Sequence, residues 1–324
     1  MLRGAIIGFG AVAENGHWPG YTRAKDLEIV AIVDRGEERR LAARKVSAEL
    51  QTFATIEELE ANTALDFVDI CTPPALHAEL VLAALRRGWN VLCEKPLVLD
   101  PADLDRIREA ASEAGRCVLP VHNWKYAPII RQATEALRSG VIGRLQHVEI
   151  ETLRFEDCAA VDPANPSWRR DPAIAGGGIL FDHGWHAIYL ARHWFDQDLV
   201  GVTATLHHVP QAGVEDEATL LLNFRNGDAR IFLTWRANGR ANRMRLIGDR
   251  GEIAIDDDTL KVGDESIRFE HGLSAGSHHP DWFETMLPDV SAAFRSPETA
   301  CGPFEEAAVC LSAIRRAYEI ADVS

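Results

Sequence analysis

The sequence predicts an α/β protein in two parts, a doubly wound parallel sheet followed by an α+β domain with an open, mainly antiparallel sheet. Three observations support this prediction. The chain has 324 residues, a length that suggests two domains. Over the first 121 residues, short apolar runs that suit buried parallel strands alternate with longer segments of helical period. Further on, several strand candidates follow one another without helices between them, as in antiparallel sheets.

The parallel sheet is predicted from five apolar runs. They are Arg3–Gly8, Glu28–Val33, Phe67–Cys71, Asn90–Cys93 and Cys117–Val121. The clearest helices between them are His77–Arg87 and Ala102–Ala114, the second with Pro101 in its first turn. The pattern of elements changes near His122, so we assign residues 1–121 to the first domain and residues 122–324 to the second. Because no flexible linker separates them, we expect the two domains to pack closely.

The second domain begins with a predicted helix, Ala127–Ser139, and a predicted strand, Leu145–Leu153. A glycine-rich turn then leads into a helix at about Leu180–Trp194, and a last helix covers about Phe304–Ala321. The strand candidates between these two helices are Gly201–His208, Ala218–Phe224, Ala229–Trp235, Arg243–Ile247 and Glu252–Ile255. This order of elements predicts an open antiparallel sheet with helices beside it.

The amino-acid composition argues against some classes of binding partner. The chain carries 34 Lys and Arg against 49 Asp and Glu, a net charge of −15 that argues against affinity for nucleic acid or anionic membranes. The longest run without Lys, Arg, Asp or Glu is Leu199–Val214. It has 16 residues, whereas a bilayer span needs about 20.

The N-terminal residues and the cysteines indicate the compartment. The first residues lack the regions of a signal peptide, and the six cysteines form no CxxC pair. We therefore expect a cytoplasmic protein with reduced thiols.

A glycine-rich turn after the first strand matches the GxGxxG/A pattern of dinucleotide-binding proteins. The matching residues are Gly8, Phe9, Gly10, Ala11, Val12 and Ala13. In this pattern the first glycine permits a tight turn, the second lets the backbone approach a pyrophosphate, and the small last residue allows close packing of helix and strand. The alternative is a tight turn in an α/β protein that binds no nucleotide.

The end of the second predicted strand carries the residues that would choose the cofactor. Asp34 could accept hydrogen bonds from both adenine-ribose hydroxyls and would repel a 2′-phosphate, which favours NAD. Arg35 could pair with a 2′-phosphate, so NADP remains possible.

Two further strand ends supply candidate contacts, because ligands of such sheets bind beyond the carboxyl ends of strands. Thr72 and Pro73 follow one strand, and His77 is either a neighbour of the cofactor or a solvated side chain. Glu94 follows the next strand and could hold the nicotinamide ribose or orient Lys95. Lys95 could relay a proton or hold the substrate oxygen, or it could be an exposed lysine with a solvated partner.

Residues 176–186, with the sequence GGGILFDHGWH, carry the remaining chemistry. If a helix begins just after the glycines, Asp182 and His186 share one face, so that His186 could act as general acid or base with Asp182 orienting it. The glycines would let the backbone approach a ligand closely. Alternatively, the helix buries His186 and His193 in a packed face, or it forms a metal site from Asp182, His183 and His186. We predict no metal, because no separate cluster of ligating side chains is evident.

Together these motifs resemble those of the Gfo/Idh/MocA family, named for glucose–fructose oxidoreductase, inositol dehydrogenase and a rhizopine-catabolism protein. The resemblance runs along essentially the whole chain and is carried by GFGAVA, CTPPALHAE, CEKPL, HNWKYAP, SGVIGRL, SWRRD with the later GGG, and DHGWH. It implies a Rossmann domain followed by an α+β domain whose sheet mediates homodimer or homotetramer contacts. It also implies hydride transfer between NAD(P) and a hydroxyl-bearing carbon of a sugar, cyclitol or related polyol.

The resemblance also assigns roles by motif. Lys95, Asp182 and His186 become the catalytic and substrate-binding residues, and the bond between Lys95 and Pro96 is often cis in this motif. The resemblance further implies that Trp168 and Arg169 approach the nicotinamide or substrate, and that Asn123 and Tyr126 line the edge of the substrate pocket.

The chain departs from the family pattern at one position. Many members continue DxGxHxxD, whereas this chain has Tyr189 in place of the last acid. Specificity has changed if that acid contacts substrate, and little follows if it only packs. Two other functions occur among relatives and remain alternatives: redox-assisted glycoside hydrolysis or elimination at the same site, and NAD binding without turnover in a regulatory protein.

Overall fold

The computed structural model describes residues 1–155, 167–208, 213–297 and 301–323. These residues pack into two compact units. The first unit comprises residues 1–123, 278–297 and 301–308, and the second comprises residues 124–155, 167–208, 213–277 and 309–323. The predicted domain boundary between Val121 and His122 stays a prediction. Residues 156–166, which include one of the six cysteines, Cys158, and precede Trp168 and Arg169, lie outside the described residues.

The sheet of the first unit has six parallel strands in the order β3-β2-β1-β4-β5-β6. The strands are β1 Leu2–Ile7, β2 Leu27–Val33, β3 Gln51–Phe53, β4 Phe67–Ile70, β5 Asn90–Cys93 and β6 Val118–Pro120. This is the strand order of dinucleotide-binding doubly wound folds, in which ligands bind where the order reverses beside β1. The predicted fold class is confirmed for this half, and the short edge strand β3 was not predicted.

Ten α-helices occur in the described residues. They are α1 Trp18–Tyr21, α2 Glu37–Val46, α3 Ile56–Asn62, α4 His77–Arg86, α5 Pro101–Ala114, α6 Pro128–Arg138, α7 Pro172–Ala175, α8 Trp185–Phe195, α9 Pro280–Arg295 and α10 Cys301–Ile320. Wider π-helical turns precede two of them, Ala13–His17 before α1 and Leu180–Gly184 before α8. No helix in these ranges combines the length and hydropathy that crossing a bilayer requires.

The sheet of the second unit has nine strands in the order β14-β13-β12-β11-β7-β10-β9-β8-β15. The strands are β7 Leu145–Leu153, β8 Leu199–His208, β9 Glu215–Phe224, β10 Gly227–Thr234, β11 Ala241–Gly248, β12 Glu252–Asp256, β13 Thr259–Val262, β14 Glu265–Arg268 and β15 Asp322–Val323. Most pairs are antiparallel, as predicted, but β7 runs parallel to β10 and β15 parallel to β8. The ends of β7 and β10 therefore lie at the same edge, beside the start of β11.

Candidate active site

The glycine turn after β1 has the geometry that a dinucleotide requires. Gly8 has a φ of +89°, and a Cβ there would lie 2.9 Å from the Thr72 side chain. Gly10 has open space instead, because a Cβ built on it would meet nothing within 4 Å. The Thr72 hydroxyl is buried and lacks a hydrogen-bond partner among the described residues. A bare backbone beside an open space and an unsatisfied hydroxyl fit the approach of a pyrophosphate.

Asp34 is tied to the glycine turn by its carboxylate. One oxygen accepts a hydrogen bond from the Phe9 amide and the other from the Gly36 amide, both at 2.8 Å. The Phe9 side chain is fully buried, so only its backbone can face a ligand. Arg35 is exposed, whereas Arg39 donates to the Phe9 carbonyl oxygen at 2.5 Å. Arg39 is thus a charged neighbour of this turn that sequence reasoning missed.

His77 joins the two strand-end turns on which the cofactor contacts were predicted. Its ring nitrogens lie 2.8 Å from the carbonyl oxygens of Thr72 and Pro96, and the side chain is fully buried. The alternative of a solvated side chain is therefore wrong. A direct contact between His77 and the cofactor stays a prediction, as does that of Pro73, and the observed role of His77 is to hold Thr72 and Pro96 in place.

Glu94 belongs to a buried ionic cluster that includes a histidine missed by sequence reasoning. His17, in the π-helical turn after the glycine motif, lies between two carboxylates. Its Nδ1 is 2.7 Å from Asp69 Oδ2, and its Nε2 is 3.0 Å from Glu94 Oε1. The Phe283 ring of α9 stacks on the imidazole at a centroid distance of 3.8 Å. We define His17, Asp69 and Glu94 as the acidic histidine cluster.

The protonation of this cluster follows from its charges. Burial alone would lower the pKa of His17, but the charge of Asp69 and the hydrogen bond to it raise that pKa well above its ordinary value of 6.5. Burial would raise the pKa of Glu94, but the hydrogen bond and charge of His17, together with Lys95, lower it. His17 is thus an imidazolium that donates to both carboxylates, and the cluster is held by charge-assisted hydrogen bonds.

Cys71 completes a group whose atoms are close enough for a metal ion. The ligating atoms of His17, Asp69 and Cys71 all lie within 4.8 Å of one another, the one such group in the described ranges. Burial raises the pKa of the Cys71 thiol to about 12, which disfavours the thiolate that a metal needs. Both nitrogens of His17 already contact carboxylates. Hydrogen bonding therefore accounts for this geometry.

Lys95 directly follows the acidic histidine cluster. Its backbone amide donates to Glu94 Oε2 at 3.0 Å, its side chain is half-buried, and the Lys95–Pro96 bond is cis, as the resemblance implied. The predicted orienting role of Glu94 thus has a structural basis at the backbone of Lys95. Hydrogen bonding of Glu94 to the nicotinamide ribose stays a prediction.

In the second unit, protein atoms fill the space beside two glycines of the run at residues 176–178. A Cβ at Gly177 would clash with the Tyr318 hydroxyl, and one at Gly178 would clash with the backbone of Glu215. The buried Glu215 carboxylate accepts hydrogen bonds from the amides of Gly178 at 3.0 Å and Leu180 at 2.9 Å. The close approach to a ligand that was expected of these glycines is therefore wrong for Gly177 and Gly178, which leave room for Tyr318 of α10 and Glu215 of β9.

Asp182 and His183 lie in the π-helical turn Leu180–Gly184, and His186 lies in the first turn of α8. Asp182 Oδ2 is 3.6 Å from His183 Nε2. The expected common face of Asp182 and His186 assumed α-helical spacing, which does not apply across this wider turn. Such turns are frequent at functional sites. The orienting role of Asp182 toward His186 stays a prediction.

His186 is held on two sides by buried aromatic residues. Its Nδ1 lies 2.9 Å from the Tyr189 hydroxyl oxygen, and the Trp124 ring stacks on the imidazole at 4.8 Å with a 19° tilt. The Trp124 amide donates to the same tyrosine oxygen at 3.2 Å. Trp124 and Tyr189 fix the ring, and sequence reasoning named Trp124 only as part of a motif.

Arg154, just beyond β7, is a buried cation in the same unit as Asp182. Its guanidinium donates to the carbonyl oxygens of Leu153 and Ala241 and to Asn242 Oδ1. Burial and the charge of Arg240 lower its pKa to about 10, against the charges of Asp182 and Asp257. Arg154 therefore keeps positive charge near Asp182 at neutral pH.

The remaining predicted site residues lie in two short turns. Asn123 and Tyr126 bound the turn that contains Trp124, and both are half-buried. Trp168 and Arg169 stack on one another, with the guanidinium carbon 4.3 Å from the centroid of the indole ring. Their contacts with cofactor or substrate stay predictions.

Comparisons with known proteins find relatives along most of the chain. Residues 2–122 match the model of the oxidoreductase family with an NAD-binding Rossmann fold, GFO_IDH_MocA, and residues 130–254 match the GFO/IDH/MocA C-terminal domain. The chain is similar to 1,5-anhydro-D-fructose reductase from Ensifer adhaerens, with 30% identity over 70% of this chain and 67% of the relative. It is also similar to myo-inositol 2-dehydrogenase from Thermotoga maritima, with 28% identity over 79% and 75% of the two chains.

A solved structure supports the fold over nearly the full length. GenD2 from gentamicin A biosynthesis, crystallised with NAD, superposes with a TM-score of 0.84 at 24% identity, covering 98% of this chain and 93% of that one. At this identity the likeness concerns the fold alone.

Proposed function

This chain belongs to the Gfo/Idh/MocA family of NAD-binding oxidoreductases, and on that premise we propose that it transfers a hydride between a nicotinamide cofactor and a hydroxyl-bearing carbon of a sugar, cyclitol or related polyol. The named relatives act on substrates of this kind, one on 1,5-anhydro-D-fructose and one on myo-inositol. The observation that carries the proposal is the fixed, buried imidazole of His186, in a chain where the family resemblance implies that Lys95 and Asp182 are its catalytic partners.

Each residue has a distinct part in this proposal. The bound nicotinamide would supply the hydride acceptor. Lys95 and His186 bind the reacting hydroxyl, and one of them takes its proton, directly or through water. Asp182 keeps Lys95 and His186 oriented toward the hydroxyl. Arg154 balances the negative charge of Asp182. Holding the reacting groups in place is expected to supply much of the rate, since well-oriented reactants can lower a barrier by up to about 7–11 kcal/mol.

We propose NAD as the preferred cofactor, because the Asp34 carboxylate is fixed at the end of β2, with one oxygen bonded to the Phe9 amide of the glycine turn and the other to the Gly36 amide. A 2′-phosphate would bring negative charge against this carboxylate. Arg39, which is held by the Phe9 carbonyl and by an ion pair with Glu14, is not free to turn toward it without breaking both contacts. Comparing the two cofactors with one substrate measures this preference as a ratio of kcat/KM.

The test is NADH formation by the full-length protein over a panel of sugars, inositols, sugar acids and diols. With the best substrate, Lys95→Ala and His186→Ala should each lower kcat by about 10²–10⁴, the usual contribution of general acid–base groups. Exposed residues of the same types, Lys45 and His271, provide matched controls. Lys45→Ala and His271→Ala should keep the wild-type rate. Wild-type rates in both site variants would contradict the assignment.

A cytoplasmic location and a homodimer or homotetramer formed through the sheet of the second unit also belong to the proposal. Sedimentation of the purified protein tests the assembly. A monomer at micromolar concentration would contradict it.

A further inference from the structure

We propose that Tyr189 is the positioning residue for His186: it holds Nδ1 through an uncharged hydroxyl, so that Nε2 is the ring atom presented to the reacting oxygen. The inference rests on the proposed function for the identity of the reacting oxygen. The contact itself does not, because it is observed between two side chains of α8.

The contact is built into the helix. Residues three apart in an α-helix lie on the same face, so Tyr189 meets His186 one turn further along. The hydroxyl oxygen lies 2.9 Å from Nδ1, and the Tyr189 side chain is fully buried while His186 is 7% exposed. In this enclosed setting a hydrogen bond is electrostatically stronger than in water, and a ring nitrogen that loses its partner is costly.

The tyrosine is itself held from outside the helix. The Trp124 amide donates to the hydroxyl oxygen at 3.2 Å, and the Trp124 ring lies against the imidazole. The phenol and imidazole planes meet at 76°, so the tyrosine reaches the edge of the imidazole that carries Nδ1 and leaves the stacking face to Trp124. A flip of the imidazole would keep the stack but would turn Cδ2 toward the Tyr189 hydroxyl in place of Nδ1, so the hydrogen bond selects between the two orientations. His186 therefore has one preferred orientation.

The chemical consequence comes from the charge of the partner. A carboxylate at Nδ1 favours the imidazolium, because an opposite charge stabilises the protonated form. The Tyr189 hydroxyl fixes the imidazole of His186 without placing the full negative charge of a carboxylate beside it. Charged and titratable groups near the pair include Lys125, whose Nζ lies 5.7 Å from the centroid of the Tyr189 ring, and His183, whose ring lies 6.3 Å from that of His186. Asp182 adds negative charge one turn earlier.

Three variants test the inference. Tyr189→Phe removes the hydroxyl and keeps the ring, Tyr189→Asp puts a carboxylate on the same turn, and Thr134→Val is the matched control. Thr134 Oγ1 accepts a hydrogen bond from Trp194 Nε1 at 3.0 Å, so this control also removes a buried hydroxyl that holds α8, but away from His186.

The first readout does not depend on turnover. Imidazole nitrogen resonances of His186 in the full chain, assigned with His186→Gln, report which nitrogen carries the proton and how the ring titrates. Wild type and Thr134→Val should show one dominant tautomer and one titration midpoint. Tyr189→Phe should mix the tautomers, and Tyr189→Asp should move the midpoint upward by about one pH unit, as expected for an adjacent opposite charge.

The second readout is the pH profile of kcat/KM with the best substrate. Tyr189→Phe should lower kcat by about tenfold to a hundredfold, a loss expected from a misplaced catalytic group, while KM for NAD stays unchanged. The acid limb for Tyr189→Asp should move upward in parallel with the titration midpoint.

The outcomes separate this inference from the proposed function. Identical resonances in wild type and Tyr189→Phe, or the same changes in Thr134→Val, would overturn the positioning role. If the resonances change as expected but wild type reduces no cofactor with any compound of the panel, the proposed function fails and the positioning of His186 by Tyr189 stands.

Discussion

Two buried histidines, one in each unit, are held at Nδ1 by partners of different charge. His17 in the first unit meets the carboxylate of Asp69 there and that of Glu94 at its other nitrogen. His186 in the second unit meets the hydroxyl of Tyr189. The carboxylates raise the pKa of His17 well above its ordinary value and keep it an imidazolium, which suits a structural cation. The hydroxyl of Tyr189 fixes His186 without adding a full negative charge at Nδ1.

The largest expected effect is a loss of folding stability when the buried counter-charge of His17 is removed. Asp69→Asn leaves His17 without its closest counter-charge in a fully buried site, so the free energy of unfolding should fall by about 3–5 kcal/mol. Urea denaturation of the two proteins measures the difference.

The matched control for that variant is an exposed pair of the same type. His147 Nδ1 lies 2.5 Å from Asp228 Oδ1, and both side chains are about one-third exposed. Asp228→Asn should change stability by about 0–1 kcal/mol, because solvent screens the pair. Equal losses in the two variants would show that burial does not set the strength of the acidic histidine cluster.

A second prediction compares glycines of the two units. Gly178→Ala should lower stability by about 1–3 kcal/mol or prevent folding, because the added methyl group meets the Glu215 backbone. Gly10→Ala should leave stability nearly unchanged, since nothing surrounds its added Cβ, yet weaken NAD binding by about tenfold or more. Thermal unfolding and cofactor titration of both variants measure these effects, and a Gly10→Ala protein with wild-type affinity for NAD would contradict the placement of the pyrophosphate.

The smallest expected effect is the pH dependence of the folding stability that His17 contributes in the first unit. Because the folded-state pKa of His17 lies above its ordinary value of 6.5, its stabilising contribution is fully present below that pH. The contribution is lost as pH rises through the raised pKa. The stability difference between wild type and Asp69→Asn should therefore shrink as pH increases above 6.5. A difference that grows over that range would show that His17 is not protonated in the folded protein.

The fold class and many candidate residues were accessible from sequence, but the contacts of the two histidines were not. The alternation of apolar runs with helical segments predicted the doubly wound sheet. The glycine motif with Asp34, the EKP segment and the DHGWH segment predicted the candidate residues. His17 was missed because its partners, Asp69 and Glu94, are 52 and 77 residues away, and a histidine in a helix gives no signal of such contacts.

In the second unit, two predictions from residue spacing and glycine content differ from the structure. The spacing of Asp182 and His186 suggested a shared α-helical face, but the preceding turn is π-helical, a form that propensities do not distinguish. The glycines before it suggested a ligand, whereas Gly177 and Gly178 are required by Tyr318 and Glu215, residues that only the folded sheet and α10 bring near. Strand β14 was missed because all of its residues are exposed and carry no apolar alternation.

The most direct test of the proposed chemistry is a single turnover with the best substrate deuterated at its hydroxyl-bearing carbon. Direct transfer predicts that the deuterium appears at the nicotinamide C4 position of the reduced cofactor, that NADH formation is slower than with the protonated substrate, and that Lys95→Ala slows the transfer without redirecting the label. Recovery of the deuterium in water, with an unlabelled reduced cofactor, would contradict hydride transfer by this protein.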